Sequence, residues 1–85
     1  MKYDVEVLKK MVANYDMNIE MFSKYKDVED RLADMVANRR LVASFIENGG
    51  ERTVPPGWRN GNVFFDSMLY SAQAGADTSW WTKGT

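Results

Sequence analysis

Ser23-Lys24-Tyr25-Lys26-Asp27-Val28-Glu29-Asp30 is the stretch on which the fold turns. On either side of it the apolar residues recur at helical spacing. Leu8, Met11, Val12, Tyr15, Ile19 and Phe22 precede it at steps of three and four; Val28, Leu32, Met35, Val36, Val42, Phe45 and Ile46 run through and beyond it. The helical stripe can be drawn across the middle through Phe22, Tyr25, Leu32 and Val36, with Glu29 at the missing position. One rod of about 44 residues would then span about 66 Å and would need a partner chain to cover its stripe. Ser23 to Lys26, however, form a polar patch, and Asp27 followed by Asp30 has the pattern of a helix start. Two helices of roughly 20 residues bury their stripes on each other, so the preferred reading is a hairpin.

Working outward, acidic residues stand four before basic ones on the outer face: Glu6 with Lys10, Glu20 with Lys24, Asp27 with Arg31. Asn48-Gly49-Gly50 supplies a left-handed helix stop. All six glycines, both prolines and all three tryptophans lie after Asn48. The fold class expected is therefore all-α, in one small domain. Residues 4–48 form a helical scaffold, 49–62 a turn-rich Pro/Gly crossover, 63–74 a short third helix, and 75–85 an aromatic docking tail.

Within the crossover, Val54-Pro55-Pro56-Gly57-Trp58 excludes regular helix, because proline drives Val54 to extended geometry and Pro56-Gly57 favours a turn. Asn62 is placed to cap the short helix, whose apolar positions are Phe64, Phe65, Met68, Leu69 and Ala72, with Gly75 as its stop.

Composition excludes more than it assigns. With 85 residues, no cysteine and no histidine, the chain has no disulfide framework, thiolate site, imidazole ligand or Ser-His-Asp arrangement. The net charge of −1 is evenly spread: residues 1–48 carry nine acids and eight bases, and residues 49–85 carry three of each. No dominant phosphate-backbone partner follows from that balance. No apolar run reaches the ~18 residues of a membrane span, and Met1-Lys2-Tyr3-Asp4 lacks the apolar core of a signal peptide. The absence of cysteine staples leans towards the cytoplasm. Asp27, Asp30 and Asp34 share a helix face, but a straight helix cannot wrap carboxylates around a cation, so they read as a solvated face. Neither a metal nor a cofactor is expected.

Three features point instead to partners. Trp80 and Trp81 are adjacent in a polar tail, each with ~150–250 Å² to bury. In an extended segment they point to opposite sides, so one closes the chain's own core and the other meets a second protein. Met17 and Met21 lie off the main stripe and suggest a second, adaptable apolar strip. Arg39 and Arg40, with Arg52, Arg59 and Trp58 nearby once the chain turns, are the candidate phosphate or base contacts. The blander reading of Arg39 and Arg40 is that they serve the macrodipole at a helix C-terminus or a salt bridge within the protein.

The function expected is a non-enzymatic structural or adaptor subunit that docks by its helices and aromatic tail onto a larger assembly. Trp58, Trp80, Trp81, Arg52, Arg59, Met17 and Met21 are its partner-binding residues. A narrower expectation, a phage or viral minor capsid or tail accessory protein present in several symmetric copies, depends on both chain ends being held in order. The alternatives are a small inhibitor of a host enzyme and a weak nucleic-acid-binding module.

Overall fold

The computed structural model describes residues 2–57 and 65–75. Among these, three helices follow one another: α1 (Val5–Phe22), α2 (Glu29–Glu47) and α3 (Phe65–Gln73). The chain is all-α, and α1 and α2 pack along each other as separate helices. The expected Asn62 cap, and the tail with its two tryptophans, lie outside the described residues.

Each boundary has a local cause. Asp4 caps α1, its carboxylate accepting the Glu6 backbone N–H at 2.9 Å. At the other end the Ser23 hydroxyl donates to the Glu20 carbonyl at 2.7 Å, competing with continuation of the helix. Asp27 then adopts φ 64, and the chain reverses there. The helix start falls one residue later than the Asp27 pattern suggests. Val28 stands at the cap with no side-chain hydrogen bond, and the Leu32 N–H donates to its carbonyl at 2.8 Å. The physical reason is that reversal needs a left-handed residue. In this glycine-free stretch, aspartate is among the residues that tolerate that geometry best. Glu29 and Asp30 still occupy the first turn of α2, where negative charge is favourable. On α1, Glu6 pairs with Lys9 at 3.4 Å, one residue short of the four-residue spacing expected.

The stop after Asn48 is a paired cap. Gly49 donates to the Ile46 carbonyl at 3.0 Å and Gly50 to the Phe45 carbonyl at 2.8 Å, with φ 69 and 97 respectively. The Gly50 carbonyl in turn accepts the Tyr3 N–H at 2.8 Å, and Lys2 and Glu51 form an isolated antiparallel bridge. The chain start is thereby tied to the end of α2.

Above that tie sits the core. Leu8, Met11 and Tyr15 from α1 meet Leu41, Val42 and Phe45 from α2, and Phe65, Leu69 and Ala72 of α3 close over them. Phe45 is fully buried at its centre. Tyr3 stacks on its ring at 5.5 Å and Phe65 approaches edge-on at 6.4 Å. Every fully buried residue of α2 lies between Asn38 and Phe45, so the first half of that helix contributes none. Val36, which the sequence periodicity assigned to the inward stripe, is 49% exposed.

Towards the hairpin turn the seam becomes polar. Asn18 and Asn38 are both buried, and the Asn18 Oδ1 has no hydrogen-bond partner among the described residues. Burial pushes the Tyr15 phenol well above its ordinary value, and the Asn38 side chain pulls it back only in part. A raised phenol pKa stabilises the fold fully below the unfolded value of about 10, and that stability is lost as pH rises beyond it. We expect unfolding free energy to fall by about 1.4 kcal/mol per pH unit above pH ~10 on account of this proton. Denaturant titrations across that window should show the slope in the native chain and a shallower one in Tyr15→Phe. Equal slopes would remove Tyr15 from the account.

Candidate interaction surfaces

The arginines are the first residues to place, because the sequence offered them as contacts for outside partners. Arg39 reaches from α2 across to α1, where its Nε and Nη2 donate to the two carboxylate oxygens of Asp16. Arg40, the next residue, points elsewhere, and its Nη2 donates to the Pro56 carbonyl at 2.9 Å. Arg52 donates through Nη1 to the Tyr3 hydroxyl at 3.2 Å and through Nη2 to Asp66 at 2.9 Å. Its guanidinium also lies 5.6 Å from the centroid of the Phe45 ring. The hydrogen bonds to Asp66 and Tyr3 hold the Arg52 pKa above its ordinary value.

These three cations therefore engage separate groups of their own chain: α1, the crossover, and the junction of Tyr3 with α3. Arg59 and Trp58, the other members of the proposed constellation, lie outside the described residues. The macrodipole reading of Arg39 and Arg40 is corrected. Helix α2 continues to Glu47 and has no basic residue in its last turn, so both arginines sit about two turns before its end. The dipole's influence fades within the terminal turn.

Arg52 is part of a wider bracket that positions α3. At its other end, Gln73 Oε1 accepts the Asp4 backbone N–H at 2.9 Å, while Gln73 Nε2 donates to the Asp4 carbonyl at 3.4 Å. Tyr3, Arg52, Asp66, Leu69, Tyr70 and Gln73 surround a shallow cavity of about 230 Å³ between these two contacts. Its polar groups largely satisfy one another, which suits a structural clasp better than a ligand site. Tyr70 projects strongly, at 74% exposure, and Asp66 is exposed beside it.

The methionine strip has a clearer outward aspect. Met17 is 57% exposed and Met21, one turn along, is half-buried. Tyr25 follows at the hairpin turn, 62% exposed, its ring tilted against Phe22 at 6.1 Å. Met17 and Met21 thus stand one turn apart near the end of α1, with exposed Tyr25 beyond that end. Of the two residues read as a second apolar strip, Met17 is the more exposed and Met21 the less.

A further surface went unseen in the sequence. Glu29, Leu32, Ala33, Val36, Ala37 and Arg40 line a groove of about 540 Å³ on the first half of α2, with Gly57 at its edge. Leu32 and Val36 were counted in the inward stripe, which concealed it. The available signal was the spacing of Ala33 and Ala37 between them, small residues four apart that mark a face able to approach another helix closely.

No three acidic residues among those described are placed to hold a metal ion, and no described helix is long and apolar enough to cross a membrane. Comparison with protein-family models, with curated proteins and with solved structures returned no match.

Proposed function

We propose that this protein is a small, non-enzymatic structural or adaptor subunit that docks onto a larger assembly through its helical faces and its aromatic tail. The observation that carries the reading is apolar surface that stays exposed among the described residues. Met17, Val36 and Tyr25 stand about half-exposed or more on or beside the two helices that supply most of the core. Its lack of histidine and cysteine leaves little for catalysis. The narrower class of phage or viral particle proteins depended on order through both termini. Residues 76–85 lie outside the described set, so the proposal rests at the broader class.

The test begins with the native mass of the protein in its source, with copurifying chains identified, for the full chain and for one lacking residues 76–85. Gly75 is retained because its N–H caps α3 on the Ala72 carbonyl at 3.1 Å. The full chain should be recovered in a complex well above its own 9.8 kDa. The truncated chain should keep its helical circular dichroism and lose that complex. A truncated chain that unfolds, beside a full chain that is a stable monomer, would make the tail part of the core and defeat the proposal. A single stoichiometric complex with one host enzyme would favour the inhibitor reading instead.

A further inference from the structure

The reversal between α1 and α2 depends on one backbone choice. Beyond Phe22 the chain keeps helix-like bonding: the Ser23 N–H donates to the Ile19 carbonyl at 2.9 Å and the Tyr25 N–H to the Phe22 carbonyl at 3.0 Å. Asp27 then turns the chain at φ 64, the one non-glycine residue with positive φ among those described. In that region Cβ crowds the following carbonyl oxygen, so an L-residue is strained there. Ser23 to Val28 hold neither glycine nor proline, so no residue of the stretch forbids a helical path.

Straightening Asp27 would release that strain and join α1 to α2. Val28 gives α2 no side-chain cap. In a continuous helix the N–H groups of Glu29, Asp30 and Arg31 would meet the carbonyls of Tyr25, Lys26 and Asp27. Ser23 to Asp27 are exposed, so no core residue is uncovered within the turn itself. What the straightened chain loses is its own α1 against its own α2, and a second straightened copy can restore it.

We propose that two copies of this chain exchange their α1 helices, each chain straightened through residues 23–28, so that α1 of one packs on α2 of the other. The interface is the one the single chain already uses, so the exchange requires no uncovered face. Leu8, Met11 and Tyr15 again meet Leu41, Val42 and Phe45, and Asp16 again pairs with Arg39, now between chains. Short connections under strain favour such exchange. On α2 no residue before Asn38 is fully buried, so the turn end of the hairpin is the more lightly held. The exchange involves this chain alone and does not depend on the proposed docking role.

Two variants at Asp27 push the equilibrium in opposite directions. Asp27→Gly relaxes the turn and weakens a continuous helix, so it should hold the chain as a monomer. Asp27→Ala strains the turn and favours the helix, so it should promote the dimer. Each dimer contains two hinges, so the dissociation constants of the two variants should differ by about a hundredfold or more, with the native chain between them. Full chains are refolded from urea at about 5 and about 500 µM and sized by light scattering. The native chain and Asp27→Ala should move from 9.8 kDa at the lower concentration towards about twice that mass at the higher, with helical circular dichroism unchanged.

A charge swap tests whether the helices change chains. Asp16→Arg in one chain, and Arg39→Asp in another, each set like charges between α1 and α2 of a single chain. Refolded together, exchanged chains regain an opposite pair in both halves of the heterodimer. Native mass spectrometry should therefore find the heterodimer well above the half of all dimers that random pairing gives. Native and Asp27→Ala chains that stay monomeric at the higher concentration overturn the proposal. So does a dimer equally abundant in Asp27→Gly and Asp27→Ala, or a heterodimer at no more than half, because such dimers would form without exchange.

Discussion

Gly50→Ala is expected to destabilise the fold by about 3 kcal/mol, whereas Gly49→Ala should cost about 1 kcal/mol. Both residues have left-handed φ, 97 and 69, so both substitutions carry backbone strain. Only Gly50 is also crowded. A Cβ there would stand 2.5 Å from the Tyr3 carbonyl oxygen, while one on Gly49 would meet nothing within 4 Å. The obstacle at Gly50 is backbone, which cannot swing away like a side chain. Relief requires the segment around Tyr3 to retreat, and that breaks the Tyr3 N–H bond to the Gly50 carbonyl and the Lys2–Glu51 bridge. Retreat of Tyr3 would also unstack its ring from Phe45. In a domain of this size each kcal/mol corresponds to roughly 4–8 °C in Tm, so the two variants should differ by about 10 °C or more. Thermal melts followed by circular dichroism decide it. Equal losses would mean that the chain start is not held against Gly50.

Phe45→Ala should be the most damaging single side-chain truncation, at about 4 kcal/mol. Phe45 is fully buried, with Tyr3 stacked on it, Phe65 set edge-on and the Arg52 guanidinium beside its ring. Each neighbour belongs to a different part of the chain. Removal of the ring therefore loosens the N-terminal segment, α3 and the crossover together, in addition to leaving a cavity. A domain of this size has a total stability of only about 4–13 kcal/mol, so this single truncation removes about a third of it or more. Phe45→Leu keeps most of the volume and should lose closer to 1.5 kcal/mol. Urea midpoints for the two variants give the comparison. A loss under about 1 kcal/mol for the alanine variant would show that the ring does not organise the core.

Much of the scaffold is legible in the residue pattern because its causes are local. Helical periodicity places α1 and α2, and Asn48-Gly49-Gly50 marks the end of α2 through backbone geometry that few residues other than glycine adopt. Asp27 is instructive in the other direction. Its side chain suits a cap, but the reversal of the chain required a left-handed residue there, so the cap fell to Val28. Local preference yielded to the need to pack two helices.

Side-chain partners were much less legible. Arg39 and Arg40 are neighbours in sequence, and their common charge suggested a common task. Successive residues on a helix point about 100° apart, so one meets Asp16 on α1 and the other the Pro56 carbonyl. Arg52 found Tyr3 and Asp66, residues 49 and 14 positions away, through a junction that exists only once α3 has docked. Periodicity likewise identified Leu32 and Val36 as apolar without saying which side of α2 would be covered.

The sequence by itself determined that this chain is helical, where its long helices stop, and that its sharp turns and tryptophans follow Asn48. Those properties rest on backbone preference and on spacing within a few residues. Only the tertiary structure decided that the fully buried positions of α2 fall between Asn38 and Phe45 while Val36 stays half-exposed, and that three arginines clasp their own chain. Helical periodicity defines a face, but which face is buried depends on the elements that come to lie against it, and these are distant in sequence.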